Sequence, residues 1–154
     1  MLRNNKKNGF TIIEVVLVLA IAGLIFLMVF VALPSLQRSQ RDTQRRQDMA
    51  RLATAVVQYQ SNNNGNIPSA NVLEGDFVDD YLVEFKAPSS NSNYAIEAVT
   101  CESSSSCNRT DADTSTVKAY INATCNGENP QYQAGAKIAF ILKLEGSGYY
   151  CVNN

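Results

Sequence analysis

The feature that most limits what this chain can fold into is an apolar run of 24 residues, Phe10 to Leu33, in which Glu14 is the one charge. As a helix the run would rise about 36 Å, enough to cross a hydrocarbon core of roughly 30 Å. A carboxylate inside it costs about 2.5–3.5 kcal/mol at mid-membrane, and less near an end, so a residue kept there needs a partner. Ahead of the run lie nine residues, Met1 to Gly9, with three positive charges (Arg3, Lys6, Lys7) and no acid. A secretory signal peptide carries a short apolar region before its cleavage site. Here no apolar region precedes Gly9, and the run after it is too long for that role.

A short basic leader ending in Gly9, then Phe10-Thr11, two aliphatics and Glu14, then the remaining apolar residues, resembles a type IV pilin precursor. The resemblance is strong from Met1 to about Gly65 and general beyond. It implies a type IV pilin fold, α+β, with a long N-terminal helix packed on a C-terminal antiparallel sheet of three to four strands. It implies cleavage by a prepilin peptidase between Gly9 and Phe10, N-methylation of Phe10, and a role for Glu14 in filament assembly. The implied partners are further copies of the chain in a helical filament, the peptidase, the assembly machinery of the inner membrane, and lipid before assembly. The implied location is a single pass through the cell membrane with a cytoplasmic N-terminus, then an extracellular pilus. The spacing adds its own argument. Phe10 and Glu14 are four apart and share a helical face. In parallel helices offset along their axis, Glu14 of one copy meets the Phe10 ammonium of another. A buried pair of this kind adds little net stability but can fix register.

Net charge is −1, unevenly spread. Five arginines (Arg38, Arg41, Arg45, Arg46, Arg51) face only Asp42 and Asp48 between Ser35 and Gln60, whereas the chain from Ser61 onward is acidic. A basic stem therefore joins an acidic head, a pattern that fits solvated surfaces or stem-to-head contact between copies. Positive charges flank the apolar run on both sides, so charge counting by itself does not place the head outside. Four cysteines, an even number, fall between Cys101 and Cys151 and no histidine is present. Without His or a Cys-x-x-Cys pair a zinc site is disfavoured, and disulfides in an oxidising space are the better reading. Of the three connectivities, Cys101–Cys107 with Cys125–Cys151 is preferred: it closes a short loop and ties the chain end to the sheet.

The expected divisions are a cleaved leader (1–9), an apolar helix (10–34), a polar then amphipathic continuation (35–62), and a globular head (63–154). Gly23 and Pro34 are the weak points of the helix, since proline removes a backbone donor; the resemblance implies that part of this region melts in filaments. Ser35 to Asp48 has no apolar face apart from Leu36, so docking is expected only from Met49, where a stripe resumes at Leu52, Ala53, Val56 and Val57. Arg38–Asp42 and Asp42–Arg46 are expected as i,i+4 pairs. Asn62-Asn63-Asn64-Gly65 stops the helix. An irregular connection follows, with a short helix within Phe77 to Phe85. Strands are expected at Tyr94–Thr100, Val117–Cys125, Ala136–Glu145 and Tyr149–Val152, the last two joined in a hairpin by Gly146-Ser147-Gly148.

The chain shows no catalytic grouping: no Ser or Cys has a base beside it and there is no phosphate-binding glycine loop. No cofactor is expected. Asp111 and Asp113 start like a calcium loop, but the glycine and the closing acid are missing. Asp76, Asp79 and Asp80 form a second acidic cluster, of interest because pseudopilin heads can bind calcium. Asn108 and Asn122 fit a short glycosylation pattern. The arginines can attract nucleic-acid phosphates, although they stand close to the membrane beside an acidic head. The favoured function is structural, a pilus subunit serving adhesion, twitching motility or DNA uptake. A pseudopilin of a type II secretion system and a monomeric membrane-anchored binding module are the alternatives.

Overall fold

The computed structural model describes residues 9–154; Arg3, Lys6 and Lys7 of the basic leader lie outside the described residues. The chain is α+β and falls into two units, one ending at Gln37 and one from Arg38 to Asn154. The helix α1 spans Ile12–Asn62 and continues through Gly23 and Pro34. It starts two residues later than the apolar run, so Phe10 precedes it. In the first unit every large apolar side chain from Ile12 to Leu33 is exposed, from 44% at Val29 to 83% at Ile12.

The second unit continues with α2 (Ala70–Glu74), α3 (Phe77–Tyr81) and six strands: β1 (Ala95–Thr100), β2 (Thr116–Ile121), β3 (Ala123–Asn126), β4 (Asn129–Tyr132), β5 (Ile138–Lys143) and β6 (Tyr149–Asn153). Four of them form one sheet in the order β1-β2-β5-β6, and β3 with β4 forms a separate hairpin. One face of the large sheet presents Val117, Ala119, Ile121, Ile138, Phe140 and Leu142 to Met49, Leu52 and Val56 of α1 in the main core. The connection from α1 to β1 closes that core with Leu73, Phe77 and Phe85. Phe77 stacks on Tyr81 at 5.1 Å.

Three local departures from the sequence expectation have physical reasons. First, β1 and β2 are parallel, whereas β2–β5 and β5–β6 are antiparallel. A connection of 15 residues, Cys101–Ser115, returns the chain to the same end of the sheet before β2 begins, as a parallel crossover requires. Second, the single strand expected over Val117–Cys125 breaks at Asn122, whose φ is 60°. That left-handed residue, tolerated by asparagine, diverts Ala123–Asn126 out of the sheet and into the hairpin. Third, the sheet is buried on both faces. The hairpin and the Cys101–Cys107 loop cover Tyr120, Ala139 and Ile141 in a second core. Cys101 is bonded to Cys107 and Cys125 to Cys151, the latter tying β3 to β6.

A fourth departure concerns where α1 meets the sheet. Contact begins at Arg41, ahead of Met49, and is ionic. Arg45 has no exposed side-chain surface. It donates to Asp42 Oδ1 at 3.1 Å, to Glu145 Oε1 at 2.6 Å and to the Thr114 carbonyl at 3.2 Å. Arg41 donates to both oxygens of Glu145, at 2.5–3.0 Å. Asp42 in turn accepts the backbone N–H groups of Glu145 and Gly146, both at 2.9 Å. Asp42 thus pairs with Arg45, not with Arg38 or Arg46, because the turn after β5 fixes its carboxylate. Gly148 shapes that turn: its φ is +79°, and a Cβ there would stand 2.6 Å from a Glu128 carboxylate oxygen.

This cluster sets an acid limit. Hydrogen bonds from Arg41, then those from Arg45 against the cost of burial, hold the Glu145 carboxyl at about 2, below its ordinary 4.5. Its contribution is complete above 4.5 and should be lost as pH falls from there towards 2. Burial pushes the Asp48 carboxyl up in spite of Arg51, so Asp48 returns a smaller part of the stability on acidification. The net expectation is a urea midpoint that drops below pH 4.5, and a Glu145→Gln variant with a flatter profile. Arg45→Ala strips Glu145 and Asp42 of a buried partner and should cost about 3 kcal/mol. Both are read by near-UV circular dichroism of the detergent-solubilised chain. Replacing Cys125 and Cys151 by alanine frees a loop 26 residues in sequence separation and should cost about 3–4 kcal/mol in the same assay.

Candidate assembly and processing site

The start of α1 is built by its own sequence. Thr11 is the last residue before the helix and Glu14 the third residue within it. The Thr11 N–H donates to Glu14 Oε2 at 2.9 Å, the Thr11 hydroxyl donates to the same oxygen at 2.9 Å, and the Glu14 N–H approaches Thr11 Oγ1 at 3.4 Å. This reciprocal arrangement is a capping box, which satisfies donors that a helix N-terminus otherwise leaves unpaired. The sequence expectation gave Glu14 an intermolecular role alone and passed over this local one. The signal was present: Thr11-x-x-Glu14 directly ahead of an apolar run.

The same geometry alters the relation of Phe10 to Glu14. Phe10 is 91% exposed and outside the helix, so the pair does not share a helical face as the four-residue spacing would have it. Glu14 Oε1 accepts no bond from a described residue, while Oε2 is held by Thr11. The carboxylate is therefore oriented by its own helix and still has an oxygen free for an outside cation. Around it lie Phe10, Ile13, Leu17 and Val18, an apolar surround in which such a cation would be poorly hydrated. Gly9 is exposed, and a Cβ on it would meet nothing within 4 Å. No contact with a described residue demands glycine there.

The other candidates are placed as follows. Arg41 and Arg45 are held by Glu145, Arg51 pairs with Asp48 at 3.3 Å, and Arg46 lies over the Tyr150 ring at 5.4 Å. Arg38 alone of the five lacks a carboxylate or aromatic partner among the described residues, so the group does not present five free charges to a nucleic acid. Asp113 Oδ1 accepts the Ser115 N–H at 2.7 Å and its hydroxyl at 2.9 Å, a local turn. Asp79 and Asp80 lie in the first turn of α3, with Asp76 just before it. Asn108 donates to the Ser105 carbonyl at 2.8 Å, and Asn122 sits between β2 and β3 instead of within a strand.

Residues 4–30 match the family model of the prokaryotic N-terminal methylation motif. The match spans Gly9, Phe10, Thr11 and Glu14 and most of the apolar run. No curated protein and no solved structure matches the chain significantly. By length and composition, α1 can cross a membrane.

The capping box makes a prediction of its own. Thr11→Ala removes the hydroxyl and should fray the first turn, at a cost of about 1 kcal/mol to the local helix. Hydrogen exchange of Glu14 and Val15, whose N–H groups are bonded to Thr11, should rise about fivefold in detergent on that account. Thr11→Ser should restore protection.

Proposed function

We propose that this chain, which carries the prepilin signature common to type IV pilins and pseudopilins, is the structural subunit of a type IV pilus. On this reading a prepilin peptidase cuts between Gly9 and Phe10 and methylates the Phe10 amine. The chain waits in the membrane as a single pass with its N-terminus cytoplasmic. It then polymerises through its apolar helix into an extracellular filament. The observation that carries the reading is the pairing of one carboxylate oxygen on Glu14, which no described residue bonds, with an apolar surface that no described residue covers. Such a surface must be met by lipid or by other copies. Cleavage would create the ammonium on Phe10 that this carboxylate lacks. The disulfide from Cys125 to Cys151 favours a pilin over a pseudopilin, because it staples the C-terminal region in the way the family resemblance implies.

Two measurements test the proposal. Mass spectrometry of surface protein should find a mature N-terminus at a methylated Phe10, and Gly9→Val should leave the leader attached. An intact Met1 or a cut beyond Leu33 would sink the processing claim. Glu14→Ala should be made and inserted, since it removes the one charge in the apolar run. It should be deficient in fibres, because each docking copy must bury an unpaired amine at a cost of about 3–5 kcal/mol. Electron microscopy of sheared surface material, with immunoblots of membranes, reads the result. Normal fibres from Glu14→Ala cells would refute the intermolecular role. Surface fibres built from this protein argue for a pilin, and their absence with intact protein export defects argues for a pseudopilin.

A further inference from the structure

The far face of the sheet is covered in two parts, the loop from Cys101 to Cys107 and the hairpin of β3 and β4. Each part carries one disulfide, and the two bonds differ in access. Cys101 is fully buried and Cys107 is 5% exposed, whereas Cys125 and Cys151 are both partly exposed. Thiol–disulfide exchange starts when a thiolate reaches a bonded sulfur, so access decides which bond reacts in a folded chain.

The two parts also differ in what else holds them. The loop is fastened at several points besides its bond. The Cys101 N–H donates to the Ile121 carbonyl at 2.9 Å, and Ser106 Oγ accepts the N–H groups of Glu102 and Ser103, both at 2.9 Å. Just beyond it the Thr110 N–H donates to the Tyr120 hydroxyl at 2.8 Å. The hairpin is fastened at its two ends. At its base the Gln133 N–H donates to the Asn122 carbonyl at 2.9 Å, and at its tip Arg109 donates to the Glu128 carbonyl at 3.2 Å. Between these, Asn153 Oδ1 takes the Thr124 hydroxyl at 3.4 Å and the Cys125 N–H at 3.5 Å, both at the outer limit of a hydrogen bond. The Cys125–Cys151 bond is therefore the main tie along the middle of the hairpin. A two-stranded hairpin is marginal by itself. No residue of β3 or β4 belongs to the main core, which can stand without it.

We infer that Cys125–Cys151 is the site at which a dithiol reductant acts on the folded chain, and that its reduction releases the hairpin. One thiolate of the dithiol attacks one of the two sulfurs and expels the other cysteine as a thiolate. The second thiol of the reagent then displaces the mixed disulfide. The reagent leaves as its own disulfide, and the electrons and protons it gives up end on Cys125 and Cys151. Ile141 is the cross-strand partner of Cys151, so the two share a face of the sheet. Release of the hairpin uncovers Ile141 and Ala139, while Tyr120 keeps its bonds to Thr110. The inference does not rest on the pilus reading.

Timed reduction of the full chain in detergent tests it. Dithiothreitol is the probe, N-ethylmaleimide traps thiols at intervals, and peptide mass spectrometry locates them. Cys125 and Cys151 should be alkylated about tenfold sooner than Cys101 and Cys107. At that stage hydrogen exchange across residues 123–132 should rise about tenfold, with Met49–Val56 of α1 and all of β2 still protected. Alkylation of the four cysteines at one rate would overturn the inference, because reduction would then require global unfolding. Earlier alkylation of Cys101 and Cys107 would overturn it too. So would alkylation of Cys125 and Cys151 with unchanged exchange across residues 123–132, since the hairpin would then stand without its bond. Loss of protection in α1 and β2 at the same stage would show that the bond holds the whole second unit, and the release of a separate hairpin would be refuted.

Discussion

The second unit depends on a buried guanidinium. Arg45 sits without exposed surface between its own helix, the loop before β2 and the turn after β5, and finds an acceptor on each. A buried cation is tolerable only when all its surroundings are in place. Its net energy is small beside that of the apolar cores, but its geometry is demanding. It fixes which turn of α1 meets which end of β5, and Asp42 completes the register by holding two consecutive N–H groups of the turn. The helix thus docks with ions where it has no apolar stripe and with Met49, Leu52 and Val56 where the stripe begins.

Around that joint the sheet is unusual in having no wet face at its centre. Every residue of β5 but Lys143 is buried. The material covering the far face is slight: a four-residue pair of strands, a loop closed by Cys101 and Cys107, and the aromatic rings of Tyr132 and Tyr149. Small covers of this kind bury little area for the entropy they lose, and cross-links that restrict the unfolded chain offset part of that cost. Arg109 adds a further tie, lying over Tyr149 at 4.1 Å and donating to the Glu128 carbonyl at 3.2 Å.

The first unit obeys different physics. Its helix is held by backbone bonds and by the Thr11–Glu14 box, with no tertiary cover from the described residues, so its environment must supply the solvent its side chains need. The same carboxylate serves two purposes at once, satisfying the helix start through one oxygen and offering the other outward. Local order of this kind reduces the entropy lost when a partner cation arrives.

The sequence by itself determined what depends on near neighbours and on composition. The apolar run, its lone Glu14, the basic leader, the helix stop at Asn62 and the two-residue alternation of the strands are local patterns, and the methylation motif is one of them. The capping box was equally legible in Thr11-x-x-Glu14. The hidden second core was partly so, since Ala139 and Ile141 are apolar on the side that alternation assigned to solvent. Tertiary structure alone decided the rest. No pattern within Ser35–Asp48 announces that Arg45 will be buried, because its partners Thr114 and Glu145 lie 69 and 100 residues away. Nor does β1 declare a parallel partner, or Glu74 its bond from the Ala98 N–H. These outcomes follow from where a long crossover returns the chain, and a charge is indifferent to its neighbours in sequence once a counter-charge elsewhere in the fold can reach it.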